Sequence, residues 1–424
     1  MDGVRSEFAL KARYIFPVEG KPIVDGVISI SGKRIVAVGE NVFSQPPIDV
    51  GNVAIIPGLT NAHTHLEFSD LAAEIGKPGI SFTEWIREVV THRKRRSADT
   101  PNVEALRRRM DRAVRQGIWE SVRSGVTMLG EIGTNQTCDR FPVATPIDCT
   151  VFRETIAFDR EKADDAFGEL AAWTDSPRIE YRRGLSPHAP YTVHPDLIDR
   201  MCRYSKQTKT PLAMHLAESF EELELLNSGC GPFVALLQDL DAWDASVIPR
   251  GISVGWYLKT LAKSHHSLVI HGNFLTEEEM LFIAAQAERM TVVYCPRTHA
   301  FFAHGQYPLK EMLGCGVPVA IGTDSKASNP DLNLLAEMCF VREHHPEVKG
   351  SEILRMGTLN GARALGQSQL TGSLASGKRA DLALVNLSDE TANDPHDLLL
   401  AESETAVRVL SGGRLIEPMS MLVD

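Results

Sequence analysis

A chain of 424 residues with 43% apolar and 23% charged content has ample core for one large domain and a small one. Its formal charge of −11 argues against a nucleic-acid or acidic-membrane partner, since those need a broad basic face. Seven cysteines without a CxxC pair read as buried thiols in a reducing compartment.

In chain order, Tyr14 to Gly39 shows period-two alternation punctuated by glycines, which predicts hairpins. Eight apolar runs of strand length follow: VAIIPGLTNAH from Val53, GVTMLGEIG, CTVFRETIAF, IEYRRGLSPHAP, PLAMHLAE, SLVIHGNFL, TVVYCPRTH and VPVAIGTDS. Helical or mixed stretches separate them, the pattern of a (β/α)8 barrel. A doubly wound sheet lacks support, because no GxGxxG opens a helix after the first strand. Residues Gly372 to Arg379 form a turn-rich entry to a further strand, and Ala406 to Ile416 reads as another hairpin. The fold expected is therefore α/β, a TIM-type barrel over 53–365 with a small β-sandwich domain built from both termini, 1–52 and 366–424.

Two insertions interrupt the rhythm, and loops on that face shape substrate pockets. One carries Phe82, Trp85, Ile86, Val89 and Val90 at helical spacing, then His92-Arg-Lys-Arg-Arg96, read as a docked helix with a solvated basic end. The other, about Phe220 to Ser264, carries Trp243, Trp256 and Tyr257 and is expected to cover the site.

Polar residues close these runs where a barrel keeps its chemistry. His63 and His65 lie one residue apart, so strand alternation points them the same way. His215, His271 and Asp324 end the fifth, sixth and eighth runs. Three imidazoles and one carboxylate, His63, His65, His215 and Asp324, make a shell for one divalent metal ion, zinc with iron(II) as the alternative. A metal so held brings the pKa of a bound water toward neutrality. Glu218, just past His215, is placed for general acid/base work. It also precedes a helix start, where a carboxylate is favoured on other grounds. His271 is expected to hydrogen-bond the attacking water, and Asp324 to accept a hydrogen bond from it while binding the metal.

These residues resemble the amidohydrolase superfamily in its mononuclear deaminase and chlorohydrolase branch. The likeness rests on Pro57-Gly-Leu-Thr-Asn-Ala-His-Thr-His65, His215-Leu-Ala-Glu218, His271-Gly, Cys295-Pro-Arg and Gly322-Thr-Asp-Ser325, and spans nearly the whole chain. It implies hydrolytic loss of ammonia from an amino-substituted heterocycle. The fourth run ends Leu185-Ser-Pro-His188, without the carboxylated lysine of binuclear relatives, which favours one metal. His65-Leu-Glu-Phe-Ser69, Phe82-Thr-Glu-Trp85 and Ser186-Pro-His-Ala-Pro-Tyr191 are similar to the aminodeoxyfutalosine deaminases, of the alternative menaquinone pathway. That likeness implies His188 against purine or sugar, Phe82 or Trp85 stacked on an aromatic part, and Arg153 or Arg297 on a substrate carboxylate. An internal ion pair is the plainer alternative for either arginine. The chain departs from the usual Cys-Pro-x-Ser-Asn of the seventh strand, reading Cys295-Pro-Arg-Thr-His299.

The partner expected is thus a small molecule, with no nucleic acid and no membrane, and a homodimer is compatible with the sequence. No stretch of about 18 uncharged apolar residues occurs, and the first residues lack a basic segment followed by an apolar one, so the cytoplasm is the expected compartment. Guanine, pterin, triazine, adenosine or S-adenosylhomocysteine chemistry and a silent scaffold are the competing readings.

Overall fold

The computed structural model describes residues 7–138, 141, 145–177, 181–248, 252–402 and 407–417. Of the segments named above, Met1–Ser6, Ile179 and Glu180 of the fourth run, residues 249–251 of the second insertion, and Ala406 lie outside these.

Eight parallel strands form one sheet: β1 (Leu59–Thr64), β2 (Val126–Gly133), β3 (Asp148–Thr155), β4 (Arg182–Pro187), β5 (Leu212–Leu216), β6 (Ser267–His271), β7 (Met290–Tyr294) and β8 (Val319–Ile321). Each pairs with its sequence neighbours, and a bridge from Thr64 to Asp324 links β1 to the segment after β8. Strands covered on both faces are largely apolar, and the polar exceptions such as Glu131, Asp148 and Glu154 lie toward strand ends. Ala62, Met128, Phe152, Ala213, Leu268, Ile270 and Val293 fill the interior with mixed small and large side chains.

Two helices, α1 (Phe82–Ala98) and α2 (Val103–Arg123), separate β1 from β2. The Asn102 side chain caps α2 by accepting from the Ala105 N–H. Among the described residues no helix is long and apolar enough to cross a membrane.

The terminal segments build two further sheets. One orders Arg34–Val38, Val27–Ser31, Glu7–Lys11 and Ile48–Asp49; the other orders Arg414–Leu415, Val407–Ser411, Leu382–Asn386, Val53–Pro57, Tyr14–Ile15 and Ile23–Val24. Leu10, Ile28 and Ile30 of the first share a core with Ile55, Leu382 and Leu410 of the second, the packing of a sandwich. The first apolar run is therefore divided. Val53–Pro57 pairs with Leu382–Asn386 in the terminal sheet, and the barrel strand begins only at Leu59. Gly58 is the joint, since a Cβ there would lie 2.1 Å from Thr127 Oγ1.

Candidate metal centre and its cavity

Four strand ends converge on one cluster. Pairing of β1 with β2 shifts register between Asn61 and Thr64, and such a bulge re-aims side chains. Ring nitrogens of His63, His65 and His215 lie within 4.8 Å of one another, and so do ligand atoms of His63, His271 and Asp324. Gly322 permits the close approach of β8, because a Cβ there would be 2.9 Å from that of His63. The chain bends sharply at this rim: Ala217, His271 and Asp324 all adopt left-handed φ, at 55°, 69° and 56°. Non-glycine residues hold such angles at a cost of roughly 1–3 kcal/mol where the surroundings enforce them.

Within the cluster, His65 Nε2 is 3.3 Å from His215 Nε2, and Asp324 Oδ1 is 3.6 Å from His63 Nε2 and 3.8 Å from His65 Nε2. Atoms arranged tetrahedrally around an ion at zinc–nitrogen distance lie about 3.4 Å apart. The tautomer of His215 also fits. Its Nδ1–H donates to the carbonyl of His188 at 3.1 Å, leaving Nε2 as the free lone pair. Among the described residues neither nitrogen of the buried His63 has a hydrogen-bond partner, a rare condition unless something is to be bound. Burial holds His63 and His65 well below the usual histidine pKa and lowers His215 to about 4, so all three rings are neutral at pH 7, the form that can bind a cation. The donor set therefore fits one divalent ion.

Glu218 stands beside this cluster. Its Oε1 is 3.2 Å from His271 Nε2, though not aligned for a hydrogen bond. Burial, then the charges of Asp324 and Glu222, push it well above the ordinary carboxylate range. Its backbone is clamped: Glu222 accepts from the N–H of Ala217 at 3.0 Å and of Glu218 at 2.8 Å, and Asn273 Nδ2 donates to the Glu218 carbonyl at 2.8 Å. Sequence reasoning missed Glu222, whose signal is a carboxylate one helical turn beyond Glu218.

The cluster floors a cavity of about 570 Å³. His188, Phe82 and Trp85 line it, with Tyr191 and Trp243. His188 Nδ1 pairs with Thr192 Oγ1 at 2.7 Å, and burial, then the charge of Arg93, lowers its pKa to about 3. Trp85 is fixed by its Nε1–H donating to the Ala327 carbonyl at 3.2 Å.

Several expectations are corrected. Arg153 does not line this cavity; alternation turns its strand neighbours Phe152 and Glu154 inward, and Arg153 lies over Trp173, 3.8 Å from Glu169. Arg297 is absent from the lining too, because its guanidinium donates three hydrogen bonds of 2.6 to 3.1 Å, one to Glu337 through Nε and two to Asp331 through the terminal nitrogens, while its backbone N–H donates to Glu337 at 3.0 Å. The basic end of α1 is not simply solvated. Lys94 and Arg95 are exposed, but Arg93 and Arg96 both turn onto the buried Glu67, and Arg93 reaches the cavity. Of the second insertion, Trp243 covers the site, whereas Tyr257 is buried in the core and Trp256 packs against it.

The comparisons agree with this architecture. Residues 54–416 match the amidohydrolase family. A 5-methylthioadenosine/S-adenosylhomocysteine deaminase of Pyrococcus furiosus is 30% identical over 411 residues, 92% of this chain and 85% of that protein. An aminodeoxyfutalosine deaminase of Nitratiruptor sp. is 26% identical over 351 residues, 81% of each chain. The crystal structure of Helicobacter pylori aminofutalosine deaminase shares the fold with a TM-score of 0.82 at 22% identity, over 97% of this chain and all of that one. With a family match extending over most of its length, the chain belongs to the amidohydrolase family.

Proposed function

We propose that this chain is a hydrolytic deaminase of adenine nucleosides, acting on aminodeoxyfutalosine. The observation that carries the reaction is Glu218, buried and 3.2 Å from His271, beside a cluster of neutral imidazoles on the floor of a cavity. His63, His65, His215 and Asp324 would hold the metal, zinc or the iron(II) that accepts the same ligands, and it would supply an activated water. Asp324 accepts a hydrogen bond from that water, and His271 hydrogen-bonds its oxygen as it adds to C6. Glu218 carries the proton released by the water to the ring nitrogen. The hydroxyl of the adduct then gives its proton to the amino group, the C6–N bond breaks, and ammonia leaves as the C6 carbonyl of the hypoxanthine ring forms.

The narrower choice of substrate rests on the named relatives and on the walls. Phe82 and Trp85 offer stacking faces for an aromatic part. Arg93, on α1, takes the role first expected of Arg153 or Arg297, as the guanidinium facing a substrate carboxylate. The alternative within the class is a methylthioadenosine or S-adenosylhomocysteine deaminase, after the Pyrococcus relative.

Ammonia release and the adenine-to-hypoxanthine absorbance change, measured with aminodeoxyfutalosine, methylthioadenosine, S-adenosylhomocysteine and adenosine, test both levels. The highest kcat/KM is expected for aminodeoxyfutalosine. A higher value for another adenine nucleoside replaces the substrate, and no turnover of any of them removes the reading. Elemental analysis of the purified protein identifies the metal.

A further inference from the structure

Glu154 has no role in the reaction just described. It sits near the end of β3, its side chain is 7% exposed, and it lines the cavity. Among the described residues no hydrogen bond reaches its carboxylate; His188 Nε2 stands 3.9 Å from Oε1. Arg93, the cation on this wall, donates to Glu67 and attracts Glu154 from beyond ion-pair distance, so it leaves the Glu154 oxygens without a donor. A carboxylate withdrawn from bulk water is costly without donors, and this one faces space that a ligand fills.

Its position says which part of a ligand arrives. The His188 ring centroid is 5.1 Å from that of His215, so Glu154 lies one side chain beyond the metal cluster. A purine reacting at the cluster passes His188, and the next group outward is the sugar. An ionised carboxylate only accepts, through two oxygens, and a vicinal diol presents two O–H donors at matching spacing. We infer that Glu154 binds the 2′- and 3′-hydroxyls of the sugar and thereby restricts the site to ribonucleosides with a free diol. The inference rests on the adenine-nucleoside reading and assigns the sugar half of that substrate. It also separates charges along the cavity: an anionic substituent is repelled by Glu154 and directed to Arg93.

Deamination of adenosine, 2′-deoxyadenosine and 3′-deoxyadenosine by the wild-type enzyme and by Glu154→Gln tests this, beside calorimetric binding of inosine and 2′-deoxyinosine. The wild type should favour adenosine by at least about tenfold in kcat/KM, since a site built around a hydroxyl rejects the analogue lacking it. Glu154→Gln should lose about tenfold to a hundredfold on adenosine and distinctly less on each deoxy substrate, which keeps only one of the two hydroxyls. Equal wild-type rates on all three would overturn the inference and leave the deaminase reading standing, without reliance on any variant. Equal losses on all three in the variant would also overturn it, as the mark of a merely structural role. If no adenine nucleoside is turned over, a preference for inosine over 2′-deoxyinosine that Glu154→Gln abolishes sustains the diol site while the deaminase reading falls. Absence of that preference removes both.

Discussion

Asp148 begins β3 and Glu154 lies near its other end, in surroundings that differ in kind. Asp148 meets Arg379 and, at 3.5 Å, Arg182 at the start of β4. Arg379 continues to Asp381 at 2.5 Å, which also accepts from the Gly412 N–H and the Thr371 hydroxyl. At the other end of the barrel, among the described residues, His63 has no hydrogen-bond partner on either nitrogen and no hydrogen bond reaches the Glu154 carboxylate. Carboxylates at the N-terminal strand ends meet cations and so hold terminal sheet to barrel; polar groups at the C-terminal ends are left open to a ligand. The division follows the general rule that one face of such a barrel carries chemistry and the other stability.

The contrast predicts separable phenotypes. His63→Ala should remove both metal and turnover, with activity down at least about a thousandfold, since a metal contributes several kcal/mol to such a reaction; metal analysis showing a full complement would mean the shell is elsewhere. Glu218→Gln should keep the metal and lose turnover by at least about a hundredfold. Near-normal rates there would assign the proton to another group. Asp381→Asn, at the opposite end, should destabilise by about 3 kcal/mol, because Arg379 loses a buried partner, while kcat and KM of the folded enzyme stay unchanged. A change in kcat would erase the division between the two ends.

The smallest effect concerns pH. Burial, then His304 and His345, lower the pKa of His299 to about 3 from its ordinary 6.5. As pH falls below 6.5 the unfolded chain takes up a proton that the native chain refuses, so the stability owed to neutral His299 is present above pH 6.5 and lost toward pH 3. Melting temperatures of His299→Gln should therefore decline less steeply across that window than those of the wild type.

The barrel and the candidate metal cluster were legible because four of the apolar runs, the first, fifth, sixth and eighth, end in residues with few structural reasons to be there. Strand phase was less so. In β3 both faces are buried, alternation is silent, and Arg153 and Glu154 are equally polar neighbours; only the interior placement of Phe152 decides that Glu154 faces in. Arg93 was hidden for another reason. It sits in a run of basic residues, and a helix end reads as solvated until the buried Glu67, far back in the chain, is found beneath it. Arg297 misled because its partners, Asp331 and Glu337, lie in a later segment.

The division of the first apolar run at Gly58 also has a mechanical side. Val53–Pro57 is laddered to Leu382–Asn386, and the same chain continues without a loop into the strand that carries His63 and His65. A strand displaced by a single residue exchanges its two faces. The terminal sheet thus acts as a register stop for two of the proposed metal ligands, and damage near Leu382, far along the sequence, would be transmitted to the metal site by sliding rather than by contact.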